Sequence, residues 1–363
     1  MRCWSPSLRP AAFSATAPLP APPCRPGFSG YGRLSITRSY GRSVMTAGEQ
    51  TLERVSPCTG LCRIDSDTGL CLGCARTADE ISMWGQGPEE NRRRVWAELP
   101  DRRRRLGLGL HRLGWTSRDV HTFIASALRY GGGTWVSGIY GAVAEFSIGN
   151  DEPIDLDVSE SVITAATSRG AIAFRPTPRI RAFAFGSSPD PARSDVIVLA
   201  IARAHAGIAP GDGLNCAGQD GEAIKPEGRS ETLYDFGLGS AAGRFGIRTA
   251  RSDLLASLRR HEGLRWPMVL ASIGGDIQRA SPTRVVRNPL GRLEVFAPIP
   301  PPGGVSPEGP HTHFLPEQLA AGLDLPRALE IPDVYVPCAV HYPAKASPLP
   351  PDEAGPGQDE RKV

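Results

Sequence analysis

A chain of 363 residues, 40% hydrophobic and 22% charged, has the length of two ordinary domains with tails and the balance of a soluble globular protein. That composition excludes a disordered or fibrous chain. No apolar run nears the roughly 18 to 20 residues of a membrane helix; the longest, Val196 to Ala202, is strand-sized. The net charge of +3 is unevenly spread: residues 1–48 carry six arginines and no acid, and residues 89–118 carry nine arginines against four acids. Only three lysines (Lys225, Lys345, Lys362) stand beside 38 arginines, a bias that base composition explains without any mechanism.

Residues 1–48 are rich in Arg, Pro, Ser and Ala and lack an amphipathic period. Met45 as the true start fits this stretch best. A targeting leader and a disordered arm are the other readings, and all three place it outside the fold. Prolines interrupt each candidate apolar core between Ala11 and Pro23, which argues against a secretory signal, so a cytoplasmic protein is expected.

Four of the eight cysteines fall within 17 residues, in SPCTGLCRIDSDTGLCLGC, spaced C-x3-C-x8-C-x2-C at Cys58, Cys62, Cys71 and Cys74. Cys3, Cys24, Cys216 and Cys338 lie apart. Two close pairs on a short connection can place four thiolates at the corners of one tetrahedron. The surrounding sequence is too polar and short to bury four inert thiols, and no export signal favours disulfides. One metal centre is therefore expected, either Zn(II) or an iron–sulfur cluster, since four cysteines suit both. Asp65-Ser66-Asp67-Thr68-Gly69 is a cluster of turn formers that predicts a hairpin with Cys62 and Cys71 side by side.

After the last cysteine, Thr77 and Glu80 form a capping box that opens a short helix toward Trp84. A second helix is predicted from Pro88 to about Leu99, ended by Pro100. Ile81, Trp84, Val95, Trp96 and Leu99 are too few to stabilise such a module alone, so the metal supplies the difference. The run SPCTGLCRIDSDTGLCLGCARTADEISMW, with ELPDRR downstream, resembles a short bacterial four-cysteine family of unknown function labelled as predicted iron–sulfur proteins. That resemblance covers about residues 54–105 and implies that the four cysteines are ligands.

Arg92-Arg93-Arg94 and Arg102 to Arg105 could grip a nucleic-acid backbone. The interleaved Glu89, Glu90, Glu98 and Asp101, and the absence of stacking aromatics other than Trp96, favour a solvated helix face and linker.

Residues 116–343 read as a larger α+β domain with a mostly antiparallel sheet, and residues 344–363 as a disordered tail. Thr116 or Ser117 caps a helix to about Tyr130 with Val120, Phe123, Ile124, Ala127 and Leu128 on one face. Strands are predicted at 142–148, 154–158, 161–167, 171–174, 180–185 and 195–202. Two helices around Leu254 and Val269 follow, then a hairpin of 283–287 and 292–297 about Asn288-Pro289-Leu290-Gly291. The G-x-G-x-x-A run at 237–242 leads into the strand-like Arg244 to Ile247, not a helix, which disqualifies it as a dinucleotide loop.

In PIPPPGGVSPEGPHTHFLPEQL, His311 and His313 share one face of an extended segment, with Glu317 four residues on. The spacing is similar to the first cupin motif, without its glycines and without a second motif. Together with His341 or Glu317 these histidines could bind a second metal; the bland alternative is that they brace the proline loop. The segment resembles tails of uncharacterised bacterial proteins, which implies no activity. The leading expectation is a two-domain bacterial protein whose metal-stabilised module serves interaction or assembly, with a protein as partner and no membrane. The alternative is a metal-dependent enzyme with its site around His311, His313 and His341.

Overall fold

The computed structural model describes residues 55–130, 133–139, 142–149, 152–186, 196–209, 211–238, 243–299, 311–314 and 331–344. Side chains of 311–314 and of Ile139 are outside this set, as are residues 1–48, residues 345–363 and Glu317.

The cysteine hairpin leads into α1 (Ala78–Ser82), whose capping box is present as predicted: Glu80 N donates to Thr77 Oγ1 and Thr77 N donates to Glu80 Oε2. Helix α2 (Glu89–Leu106) departs from the sequence expectation, because it runs through Pro100 and ends only at Gly107, φ +62°. A proline within a helix removes one hydrogen bond and crowds the preceding turn. Here the turn beyond it is anchored by tertiary contacts. Arg102 binds Glu80 through both guanidinium nitrogens, at 2.6 and 2.9 Å, and Val95, Leu99 and Arg103 continue one buried stripe. The arginine run is thus mostly helix, with Arg103 inside the protein.

The larger region begins with β1 (Leu110–Arg112) and α3 (Ser117–Arg129), the latter capped by Thr116 with Asp119. Val120, Ile124 and Leu128 are its buried face. Then come β2 (Thr134–Ile139), β3 (Ala142–Ser147), β4 (Asp155–Val158), β5 (Ile163–Ala166), β6 (Gly170–Phe174), β7 (Ile180–Phe185) and β8 (Val196–Ala202). The strict alternation of β3, with Ala142, Ala144 and Phe146 inward, is the period-2 signature of a half-buried strand. The chain continues through β9 (Asn215–Gln219), β10 (Thr232–Asp235), β11 (Arg244–Thr249), α4 (Ser252–Arg260), α5 (Trp266–Ala280), β12 (Thr283–Asn288), β13 (Gly291–Val295), β14 (His311–Phe314) and β15 (Tyr335–Tyr342).

Two sheets result, one ordered β1-β7-β8-β15-β2-β3-β14 and the other β4-β5-β6-β13-β12-β11-β10-β9. Every strand pair in them is antiparallel. Strands β2 and β3 of the first pack against β6, β11, β12 and β13 of the second. Trp135 meets Phe174 across that seam, with ring centroids 4.8 Å apart. One apolar core joins both inner faces and takes in Val120, Ile124 and Leu128 of α3, Leu254 and Leu258 of α4, and Val269, Ile273 and Ile277 of α5. A smaller cluster of Val136, Phe183, Val198, Ala200 and Val340 lies on the opposite face of the first sheet.

The face of the second sheet away from the core carries charge. Arg248 donates to Asp220 (3.0 Å), Glu294 (2.9 Å) and Glu231 (3.0 Å), and Arg292 binds Asp220 and Glu294. All but Glu231 are buried. Ile224 N donates to Glu294 Oε1, so the network also ties the 220–230 loop to the sheet. Among the described residues, no helix is long and apolar enough to cross a membrane.

Candidate metal centre

The hairpin that carries the cysteines turns at Asp65–Gly69. Asp65 Oδ2 accepts Thr68 N (3.0 Å) and Thr68 Oγ1 (2.6 Å), which holds its carboxyl below the usual range, and Gly69 takes φ +68°. The pairing differs from the one expected. Ile64 pairs with Cys71, and Leu72 N donates to Arg63 O, so Cys62 stands by count across from Gly73 and not from Cys71. Pairing runs one residue further along the chain than the sequence suggested, with Asp65 N donating to Leu70 O and Gly69 N to Asp65 O. Gly73 has a steric reason to be glycine: a Cβ there would overlap the Leu61 carbonyl oxygen and Thr59 Oγ1.

Burial of the four sulfur-bearing residues is graded. Cys71 and Cys74 are buried, Cys58 is half-buried and Cys62 is exposed. Three of the sulfurs accept N–H groups: Cys58 from Gly60 N at 3.3 Å, Cys71 from Gly73 N at 3.4 Å, and Cys74 from Arg76 Nε at 3.4 Å. Burial pushes the Cys71 thiol up, but the amides of Gly73, Cys74 and Arg63 outweigh it and the net direction is down. Cys74 is raised, chiefly by burial and partly offset by Arg76. Cys62 is raised by the neighbouring Cys58, with Cys71 also within electrostatic reach. All four are free thiols, and among the described residues no three His, Cys, Asp or Glu side chains close around a common point as metal ligands. The donor set itself, soft sulfur with N–H groups directed at it, suits a thiophilic ion.

Arginines frame this hairpin. Arg76 stacks on Trp84 at 4.6 Å, Arg103 lies over Trp96 at 5.9 Å, and Arg112 Nη1 donates to the Cys58 carbonyl oxygen at 3.2 Å. Arg112 belongs to β1, so it fastens the hairpin to the larger region. Gly60 also sits hard against Val334 and Tyr335 of that region. Neither Arg76 nor Arg112 stood out in the sequence; the position of Arg76 two residues after a cysteine was the one available signal.

The histidines fall into two places. His311 lies opposite Glu145 and His313 opposite Val143 in the pairing of β14 with β3. His341, on β15, is buried among Trp135 (4.7 Å) and Phe123 (5.2 Å, edge-on). Strands β2 and β3 stand between β15 and β14. Three strand spacings are roughly 14 Å, so the structure does not bring His341 to His311 and His313. Glu317 lies outside the described residues.

Sequence and structure together define a two-part chain: a small cysteine hairpin with two helices, and a sheet-rich region of mixed helix and antiparallel strand. Residues 119–356 match the Family of unknown function (DUF6925), and the chain belongs to that family. Residues 56–103 match a second description, Protein of unknown function (DUF1289). No curated protein and no solved structure matches the chain.

Proposed function

We propose that Cys58, Cys62, Cys71 and Cys74 bind one metal centre, Zn(II) or an iron–sulfur cluster, and that the loaded module serves interaction or assembly in a two-domain protein. The observation that carries this reading is the direction of N–H groups at the sulfurs of Cys58, Cys71 and Cys74. Such donors stabilise thiolate over thiol and orient ligands in the way outer hydrogen bonds do around bound metal. The small apolar cluster of the module agrees with it. That cluster joins buried Ala75, Val95 and Leu99, with Trp84, Trp96, Leu106 and Leu108 packed beside them. A core of that size leaves a folding deficit that metal ligation can supply. When bound, a zinc ion would act structurally in a closed shell, whereas an iron–sulfur cluster would supply electron transfer.

The deciding experiment is elemental analysis with a visible absorption spectrum on protein purified without oxygen. About one zinc per chain and no visible bands is the zinc outcome; iron with sulfide and broad visible absorption is the other. A chain with neither metal after purification and reconstitution would overturn the proposal.

A further inference from the structure

Arg244, Arg287 and Arg292 are direct partners across β11, β12 and β13, so their side chains rise from one face of the second sheet in a single row. Partners so placed have Cβ atoms about 5 Å apart, and like charges at that spacing destabilise a sheet unless an anion lies among them. Asp235 supplies part of that anion. Its Oδ2 is 3.3 Å from Arg287 Nη2 and 3.4 Å from Arg244 Nε, while its Oδ1 accepts Gly237 N at 2.8 Å. Among the described residues, Arg287 makes no polar contact beyond Asp235. Arg292 turns to Glu294 and Asp220 and keeps Nη1 buried without a hydrogen-bond partner there.

The row differs from the neighbouring network in access. The side chains of Arg248 and Arg292 are 2% and 3% exposed, that of Arg287 31%. Gly228 roofs Arg248: a Cβ there would fall 2.5 Å from its guanidinium carbon. Solvent therefore reaches the row at Arg287. Beside it, bare backbone stands where side chains would otherwise crowd in. Gly237, at φ +57°, packs flush on the backbone of Gly213, and a Cβ on Gly211 would lie 3.4 Å from Arg244 Nη1. Guanidinium forks fixed by a carboxylate and bordered by glycine backbone suit a tetrahedral oxyanion, which takes several charged donors at once.

We propose that Arg287 and Arg244 bind an oxyanion of the phosphate class at the exposed end of this row, with Asp235 a positioning residue that sets the two guanidinium groups. Arg292, behind them, adds positive charge. The site is independent of the cysteine hairpin and of any metal there.

The test is calorimetric titration of the full chain with inorganic phosphate and with glycerol phosphate, at fixed ionic strength in chloride, for wild type, Arg287→Gln and Arg287→Lys. Wild type is expected to take up about one phosphate per chain, and Arg287→Gln to weaken binding about tenfold or more, as befits the loss of a charged donor. Arg287→Lys should fall between them, because it keeps the charge and loses the fork. The amide resonance of Gly237 should shift and saturate along the same isotherm, which locates the anion at Asp235 and not at another surface arginine. Tighter binding of the ester would assign the site to a phosphorylated small molecule, and tighter binding of phosphate to the free ion; both uphold the proposal. No saturable binding by wild type would overturn it, as would an unmoved Gly237 amide. Should Arg287→Gln fail to fold, Arg287→Lys decides alone: affinity equal to wild type in either variant would refute the site.

Discussion

Asn288 Nδ2 donates to the carbonyl oxygen of Cys338 at 2.6 Å, a bond between the last turn of the second sheet and the middle of the first. The same amide nitrogen reaches Ser137 Oγ at 2.8 Å, while Asn288 Oδ1 accepts Leu290 N and Gly291 N inside its own turn. One side chain therefore shapes the β12–β13 turn and fastens the two sheets.

Asn288→Ala should accordingly destabilise the larger region by about 2 to 4 kcal/mol, because buried partners are left unsatisfied on both sheets. Urea unfolding followed by tryptophan fluorescence measures it. A loss under about 0.5 kcal/mol in Asn288→Ala would show that the bridge carries no weight.

Burial decides the worth of the ion pairs. Glu294 is fully buried and serves both Arg248 and Arg292, whereas Glu98 is 45% exposed beside Arg102. Removing Glu294 leaves two buried guanidinium groups sharing Asp220, with Glu231 at the rim, so Glu294→Ala should cost about 3 to 5 kcal/mol. Glu98→Ala should stay within about 0.5 to 1 kcal/mol, since a largely solvated pair is screened and Arg102 keeps Glu80. Equal effects of the two substitutions would contradict this ranking.

What the sequence disclosed was local. The capping box of α1, the cap at the start of α3, the strand at β3 and the Asn288 turn all rest on residues close in sequence, so each was legible. Helix α2 was cut short at Pro100 because its continuation depends on Glu80, 22 residues from Arg102. Strand β15 was missed because Pro337 and a register shift between Pro337 and Ala339 interrupt its alternation. Strand β9 is exposed along most of its length and gave no apolar pattern, and β1 is only three residues. For the candidate centre, cysteine spacing marked the four sulfurs. The hairpin register, the approach of Arg112 across 54 residues of chain and the inward turn of Arg103 are tertiary facts without a local signature.

His111 offers a pH test. Burial, with the nearby Arg103 charge, lowers its pKa from 6.5 to about 4. Between those values the unfolded chain takes up a proton that the folded chain refuses, so stability falls as pH drops from about 6.5 toward 4 and levels off below. The group contributes on the order of 3 kcal/mol across that window. His111→Gln should flatten this part of the stability–pH curve relative to wild type. Superimposable slopes for the two proteins between pH 4 and 6.5 would refute the assignment.

The four cysteines should not be equivalent. Cys71 is wholly buried, accepts Gly73 N and sits in the pairing with Ile64, whereas Cys62 is exposed at the rim. With the four cysteines as ligands, as proposed, a change at either position weakens metal binding, but of the two only Cys71→Ser also leaves a polar hydroxyl in the packed interior beneath Gly73. Cys71→Ser should therefore release the metal and unfold residues 55–106, with Trp84 and Trp96 becoming exposed while the sheets stay folded. Cys62→Ser should keep the module folded in excess zinc, with a weakened site that a three-cysteine shell and water can complete. Metal content by elemental analysis, read beside amide hydrogen exchange of α2, separates the two. Should α2 exchange remain slow in the metal-free Cys71→Ser protein, the idea that metal supplies the folding energy of this module would be lost, since ligation contributes on the order of 10 kcal/mol to such small cores.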